Sequence, residues 1–96
     1  MIIAVVEFEL ENPVSLAEAT RMFEGSAPKY KEMAGLVRKH YIRSGDGRRV
    51  GGIYVWKDRA AADAVYDGEW RAFVTQKYGS PPIIRFYENP VVVENG

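Results

Sequence analysis

No cysteine occurs in the 96 residues, and that absence removes disulfides, thiolate metal sites, iron-sulfur clusters and cysteine nucleophiles together. Histidine is almost missing as well. His40 is the single one; no Ser, Asp or second His is placed to complete a triad with it, and no metal-ligand set is visible. An excess of charge is missing too. Thirteen Lys plus Arg stand against 13 Asp plus Glu, so a phosphate backbone or an anionic lipid surface finds no net attraction, and neither nucleic acid nor membrane is expected as a partner. Long apolar runs are absent. Ile2 to Val6 passes directly into Glu7, which reads as a strand and not as a signal peptide or membrane span. The cytoplasm is the default location.

The residues that are present suit one hydrophobic core. At 47% hydrophobic and 12% aromatic, the chain carries enough apolar surface to offset its ordering entropy, and its length fits a single domain over 1–96. Ile2 to Leu10 is rich in Ile, Val and Phe and stops at the turn cluster Glu11-Asn12-Pro13. Ser15 and Glu18 have capping-box spacing, so a helix starts there. Gly25 and Pro28 are expected to break it into two unequal pieces before Met33. Leu36 to Arg43 reads as the second strand, Gly45-Asp46-Gly47 as a hairpin return and Val50 to Trp56 as the third strand. Asp58 caps a second helical region, interrupted at Gly68 and ended by Gly79; Ile83 to Glu88 is the last strand. The order β-α-β-β-α-β gives an α+β class, a ferredoxin-like sandwich with an antiparallel sheet.

The strands are apolar on both parities. Ala4, Val6 and Phe8 oppose Ile3 and Val5, Tyr54 and Trp56 oppose Ile53 and Val55, and Ile83 and Tyr87 oppose Ile84 and Phe86. Two helices cover one face of a sheet only. The other face calls for a partner, and a homodimer pairing sheet on sheet is the simplest one, with Val91 to Val93 extending the contact.

Gly35-Leu36-Val37-Arg38-Lys39, followed by Gly51-Gly52-Ile53-Tyr54-Val55-Trp56-Lys57-Asp58, resembles the core of the YdhR-type mono-oxygenases, and more broadly the dimeric α/β barrels of the antibiotic-biosynthesis mono-oxygenase type. The resemblance implies a homodimer with a pocket between each sheet and its helices, and cofactor-free oxidation of a small flat aromatic or quinol-like substrate. A haem-degrading relative of that fold would want a histidine on the second helix, and Asp58 to Tyr78 holds none.

His40 and Lys39 are the candidate catalytic residues. Imidazole suits proton transfer near neutral pH, and a partly desolvated lysine suits an anionic substrate or intermediate; a packing or surface role stands as the alternative for each. Tyr54, Trp56, Tyr66, Trp70 and Phe73 are, by the resemblance, candidates to line an aromatic pocket, with plain core packing as the alternative that aromatics at helical spacing usually take. Arg85 is a candidate carboxylate ligand or an ion-pair partner of Glu7 or Glu9. Gly51-Gly52 precedes a strand and lacks P-loop spacing, so a bulge or a close strand approach explains it. An RNA-recognition motif shares the element order, but Gly51 and Ile53 stand where its stacking aromatics belong. A dimer that binds a small hydrophobic metabolite or a protein partner without turnover is the other reading.

Overall fold

The computed structural model describes residues 1–96. Its elements run β1 (Ile2–Glu9), α1 (Leu16–Tyr30), β2 (Leu36–Arg43), β3 (Arg49–Trp56), α2 (Arg59–Val65), α3 (Gly68–Tyr78) and β4 (Ile83–Glu88). The sheet order is β2-β3-β1-β4 with every neighbouring pair antiparallel, which is the ferredoxin-like arrangement. No helix is long and apolar enough to cross a membrane.

Local chemistry sets the element ends. The Ser15 hydroxyl accepts from the Glu18 amide at 3.1 Å while the Glu18 carboxylate accepts from the Ser15 amide at 2.9 Å, so two otherwise free helical donors are satisfied. Asp58 and Asp67 cap α2 and α3 through the amides of Ala61 and Trp70, and Gly79 closes α3 in the left-handed region at φ 78°. The expected break in α1 does not occur. The helix runs unbroken through Gly25 and Pro28: Pro28 falls in its last turn, leaving free only the carbonyl of exposed Glu24, and the buried anchors Ala19 and Tyr30 hold the helix down at both ends.

One sheet face is closed. Ala4, Val6, Phe8, Val50, Tyr54 and Trp56 are buried against Tyr30 of α1, Ala62 of α2, Tyr66 at its end, and Trp70 and Val74 of α3. Two indole hydrogen bonds tie these layers, Trp56 Nε1 to Tyr66 Oη and Trp70 Nε1 to Tyr30 Oη, each 3.1 Å. No buried side-chain nitrogen or oxygen lacks a partner. The opposite face carries Ile3, Val5, Ile53 and Val55, all partly exposed, beside exposed His40, Ile83, Arg85 and Tyr87. The tail is exposed at Val91, Val92 and Val93, and Val92 and Glu94 border a shallow groove on this open face with Met1, His40, Ile53 and Val55.

Two glycines separate by environment. A Cβ on Gly51 would overlap the Val6 carbonyl across the β1–β3 ladder, whereas one on helical Gly25 meets nothing within 4 Å. Gly51→Ala should therefore cost about 1–3 kcal/mol through overpacking, and Gly25→Ala should gain about 0.5–1 kcal/mol of helix propensity. Urea denaturation midpoints of the two variants are expected to move in opposite directions.

Candidate active site

Alternation along β2 decides which side chains reach the space between the sheet and the helices. In register, Lys39 lies opposite Tyr54 and Tyr41 opposite Gly52, while His40 lies opposite Ile53 on the other face. A bulge between Leu36 and Arg38 sets this phase. Gly52 leaves the room Lys39 needs: a Cβ there would stand 2.8 Å from Lys39 Cε and 3.1 Å from Tyr54 Cε1.

The result is a half-open cavity of about 180 Å³. Its sheet wall is Phe8, Lys39, Tyr41, Gly51, Gly52 and Tyr54; α1 adds Gly25, Ser26, Lys29 and Tyr30, and α3 adds Trp70, Phe73, Val74, Lys77 and Tyr78. The rings are held in place. Phe8 stacks on Tyr78 at 4.3 Å, Phe23 backs Tyr41 at 4.7 Å, and the Ser26 and Tyr41 hydroxyls are hydrogen-bonded at 2.7 Å. Lys39 Nζ sits among three tyrosine faces, 3.5 Å from the Tyr30 centroid, 4.0 Å from Tyr41 and 4.5 Å from Tyr54.

Electrostatics single out that amine. Burial, followed by repulsion from Lys77 and Lys29, lowers the Lys39 pKa from its ordinary 10.5 to about 7; the tyrosine π faces oppose this by favouring the cation. Lys77 is lowered by burial and by Lys29. Burial raises Tyr41 and Tyr54, and raises Tyr78 to about 12. At neutral pH the phenols are therefore hydrogen-bond donors, and Lys39 is the lining group brought nearest to proton exchange. No group of three His, Cys, Asp or Glu is arranged to hold a metal ion.

Of the residues singled out from sequence, Lys39, Tyr54, Trp70 and Phe73 line the cavity. Trp56 and Tyr66 do not. They are 0% and 5% exposed, bonded to each other behind the Tyr54 wall, and belong to the core. His40 and Arg85 lie across the sheet on the open face, and the Arg85 guanidinium stands 3.4 Å from the Glu7 carboxylate. His40 and Lys39, adjacent on an extended strand, point to opposite faces and cannot serve one site. Sequence reasoning missed Lys29, Tyr30, Lys77 and Tyr78. The available signal was a Lys-Tyr dipeptide at the end of α1 and again at the end of α3.

No protein-family model and no curated protein matches the chain. Solved structures do. A monooxygenase from the gene ActVA-Orf6 of Streptomyces coelicolor, in complex with nanaomycin D, superposes with TM-score 0.71 at 21% identity over 99% of this chain and 92% of that one. SnoaB, a cofactor-independent oxygenase from Streptomyces nogalater, gives 0.67 at 20% identity over 98% and 97%. NE2512 from Nitrosomonas europaea, a protein of unknown function, gives 0.73 at 18% identity over 99% and 94%. These likenesses show the fold: this chain shares the ferredoxin-like β-α-β-β-α-β architecture of those solved structures.

A lysine pKa lower in the folded than in the unfolded chain means the unfolded state binds more protons between about pH 7 and 10.5, so stability should rise with pH across that window. Urea midpoints measured from pH 7 to 9.5 should climb for the native protein. In Lys39→Met the climb should largely disappear.

Proposed function

We propose that the chain is a cofactor-free mono-oxygenase of the YdhR type, acting as a cytoplasmic homodimer on a small flat aromatic or quinol-type substrate. The observation that carries this reading is the aromatic cavity with Lys39, the most buried of its three lysines, in its wall. Its size limits the ligand, since an apolar cavity of roughly 150 Å³ takes a benzene ring; about 180 Å³ with an open mouth suits one ring, or two with the second at the entrance.

The chemistry follows from the amine. As the free base, Lys39 takes a proton from an activated ring C–H or O–H, and the tyrosine hydroxyls donate to the oxygen on which the charge settles. The carbanion passes one electron to dioxygen, and the resulting radical and superoxide combine to form the C–O bond. Taking back a proton gives a hydroperoxide, and loss of water leaves a carbonyl. One oxygen atom stays on carbon, and the other departs as water with two hydrogens of the substrate. The rings keep bulk water from the anion.

The homodimer is supported by the open face. Ile3, Val5, Ile53, Val55, Ile83 and Tyr87 form an apolar surface of the kind that pairs by C2 symmetry. Binding without turnover is the second reading. It is favoured by the lack of an acidic partner for Lys39, which belongs to none of the three ion pairs in the chain.

In an oxygen electrode with a panel of small quinols and hydroxynaphthalenes, uptake should require native protein and fall by at least about a hundredfold in Lys39→Met, the usual scale for losing a general base. Arg21→Met, on the outer surface of α1, is the control. Ligand retention with no uptake from any member of the panel leaves the binder as the function. Light scattering should give twice the 10.8 kDa chain mass, and Val55→Lys should return it to the monomer value.

A further inference from the structure

The cavity carries more positive charge than deprotonation chemistry uses. Besides Lys39 it is lined by Lys29, from the last turn of α1, and Lys77, from the last turn of α3, and none of its 15 lining residues is acidic. In a chain of formal net charge zero, this is a local concentration of one sign. The two helical lysines turn over the rings of the site: Lys29 Nζ is 4.5 Å from the Phe73 centroid, and Lys77 Nζ is 5.4 Å from Tyr78. None of the three belongs to any ion pair of the chain. Their mutual repulsion is left standing, and the groups placed to relieve it must come from outside.

Resting on the reading that the cavity takes a flat ring, we infer that the ligand is an aromatic acid, its ring between Tyr30, Tyr54 and Phe73 and its ionised carboxylate at the mouth between Lys29 and Lys77. The rings supply sequence-blind apolar area, while the lysines discriminate between an acid and its neutral isostere. Primary ammonium groups on flexible stems suit this task, because they adapt to a carboxylate without demanding the fixed fork of an arginine. Lys39, deeper in, is left for the reacting end of the molecule.

An anion at the mouth also acts on Lys39. The groups facing that amine are Lys29 and Tyr30 from α1, Tyr41 from β2, Tyr54 from β3, and Lys77 and Tyr78 from α3; none of them is a carboxylate. A carboxylate is the first negative charge near it and favours the ammonium, so part of the bound population takes up a proton while the remainder stays the free base that the chemistry uses. Binding at pH 8 should therefore draw protons from the buffer, and affinity should fall as pH rises from about 7 toward 10.

Isothermal titration calorimetry with 2-naphthoate and 2-naphthamide tests this directly. The acid is expected to bind about tenfold more tightly than the amide, with the preference shrinking as salt is added. Lys29→Met and Lys77→Met should each reduce it about threefold, as for partly exposed ion pairs, and the double variant should abolish it. Unchanged naphthamide affinity in the variants shows that the ring site is still folded. Measurements in two buffers of different ionisation enthalpy should show proton uptake with naphthoate and none with naphthamide. Equal affinity for the two probes, or a preference that survives in the double variant, overturns the inference. Oxygen uptake from neutral quinols alongside equal affinities would remove the aromatic acid and leave the oxygenase; a strong acid preference with no uptake would do the reverse.

Discussion

Everything in the molecule depends on an aromatic layer clamped between sheet and helices by two indole-to-phenol hydrogen bonds, Trp56 to Tyr66 and Trp70 to Tyr30. Each bond joins elements that no backbone ladder connects, the first from β3 to the end of α2 and the second from α3 to α1. Large rings contribute apolar area, and their polar tips fix where that area sits. With Trp56 and Tyr66 locked at the back, Tyr54 and Tyr30 are held as walls, and the space they enclose stays open instead of collapsing. Small residues do the rest, Gly52 giving Lys39 its path and Gly25 leaving the helix wall thin.

That layer also explains why so much charge sits beside so little acid. An ammonium among three π faces keeps an attraction that a purely aliphatic lining would deny it, while burial and two neighbouring lysines push the other way. The amine is thus poised between charged and free-base forms by opposing influences, none of which involves a carboxylate. Proton transfer and anion recognition draw on this one feature.

Most of the architecture was legible in the chain because its signals are local. Ser15 with Glu18, Asp58, Gly79 and the glycine-rich hairpin each specify their structure within a few residues, and the strand limits Leu36–Arg43 and Ile83–Glu88 agree with the structure. The continuity of α1 was not legible: Gly25 and Pro28 argue for a break, and only tertiary burial of Ala19 and Tyr30 overrides them. The cavity was half legible. Tyr54, Trp70 and Phe73 are conspicuous rings, but strands apolar on both parities hide which side faces the helices, so His40 and Lys39 could be assigned one role although neighbours on a strand cannot share a face. Trp56 and Tyr66 look like pocket residues until their mutual hydrogen bond shows that they face each other.

The bulge between Leu36 and Arg38 gives β2 an evolutionary lever that no point substitution offers. Because side chains alternate, a slip of one residue along the β3 ladder would carry the Lys39 amine out to the opposite surface and swing the His40 imidazole in among the tyrosines. A single inserted or deleted codon ahead of Arg38 is thus a route by which descendants of this scaffold can trade one proton acceptor for another, at the loss of the Tyr41 ring, which the same slip turns out of the chamber wall.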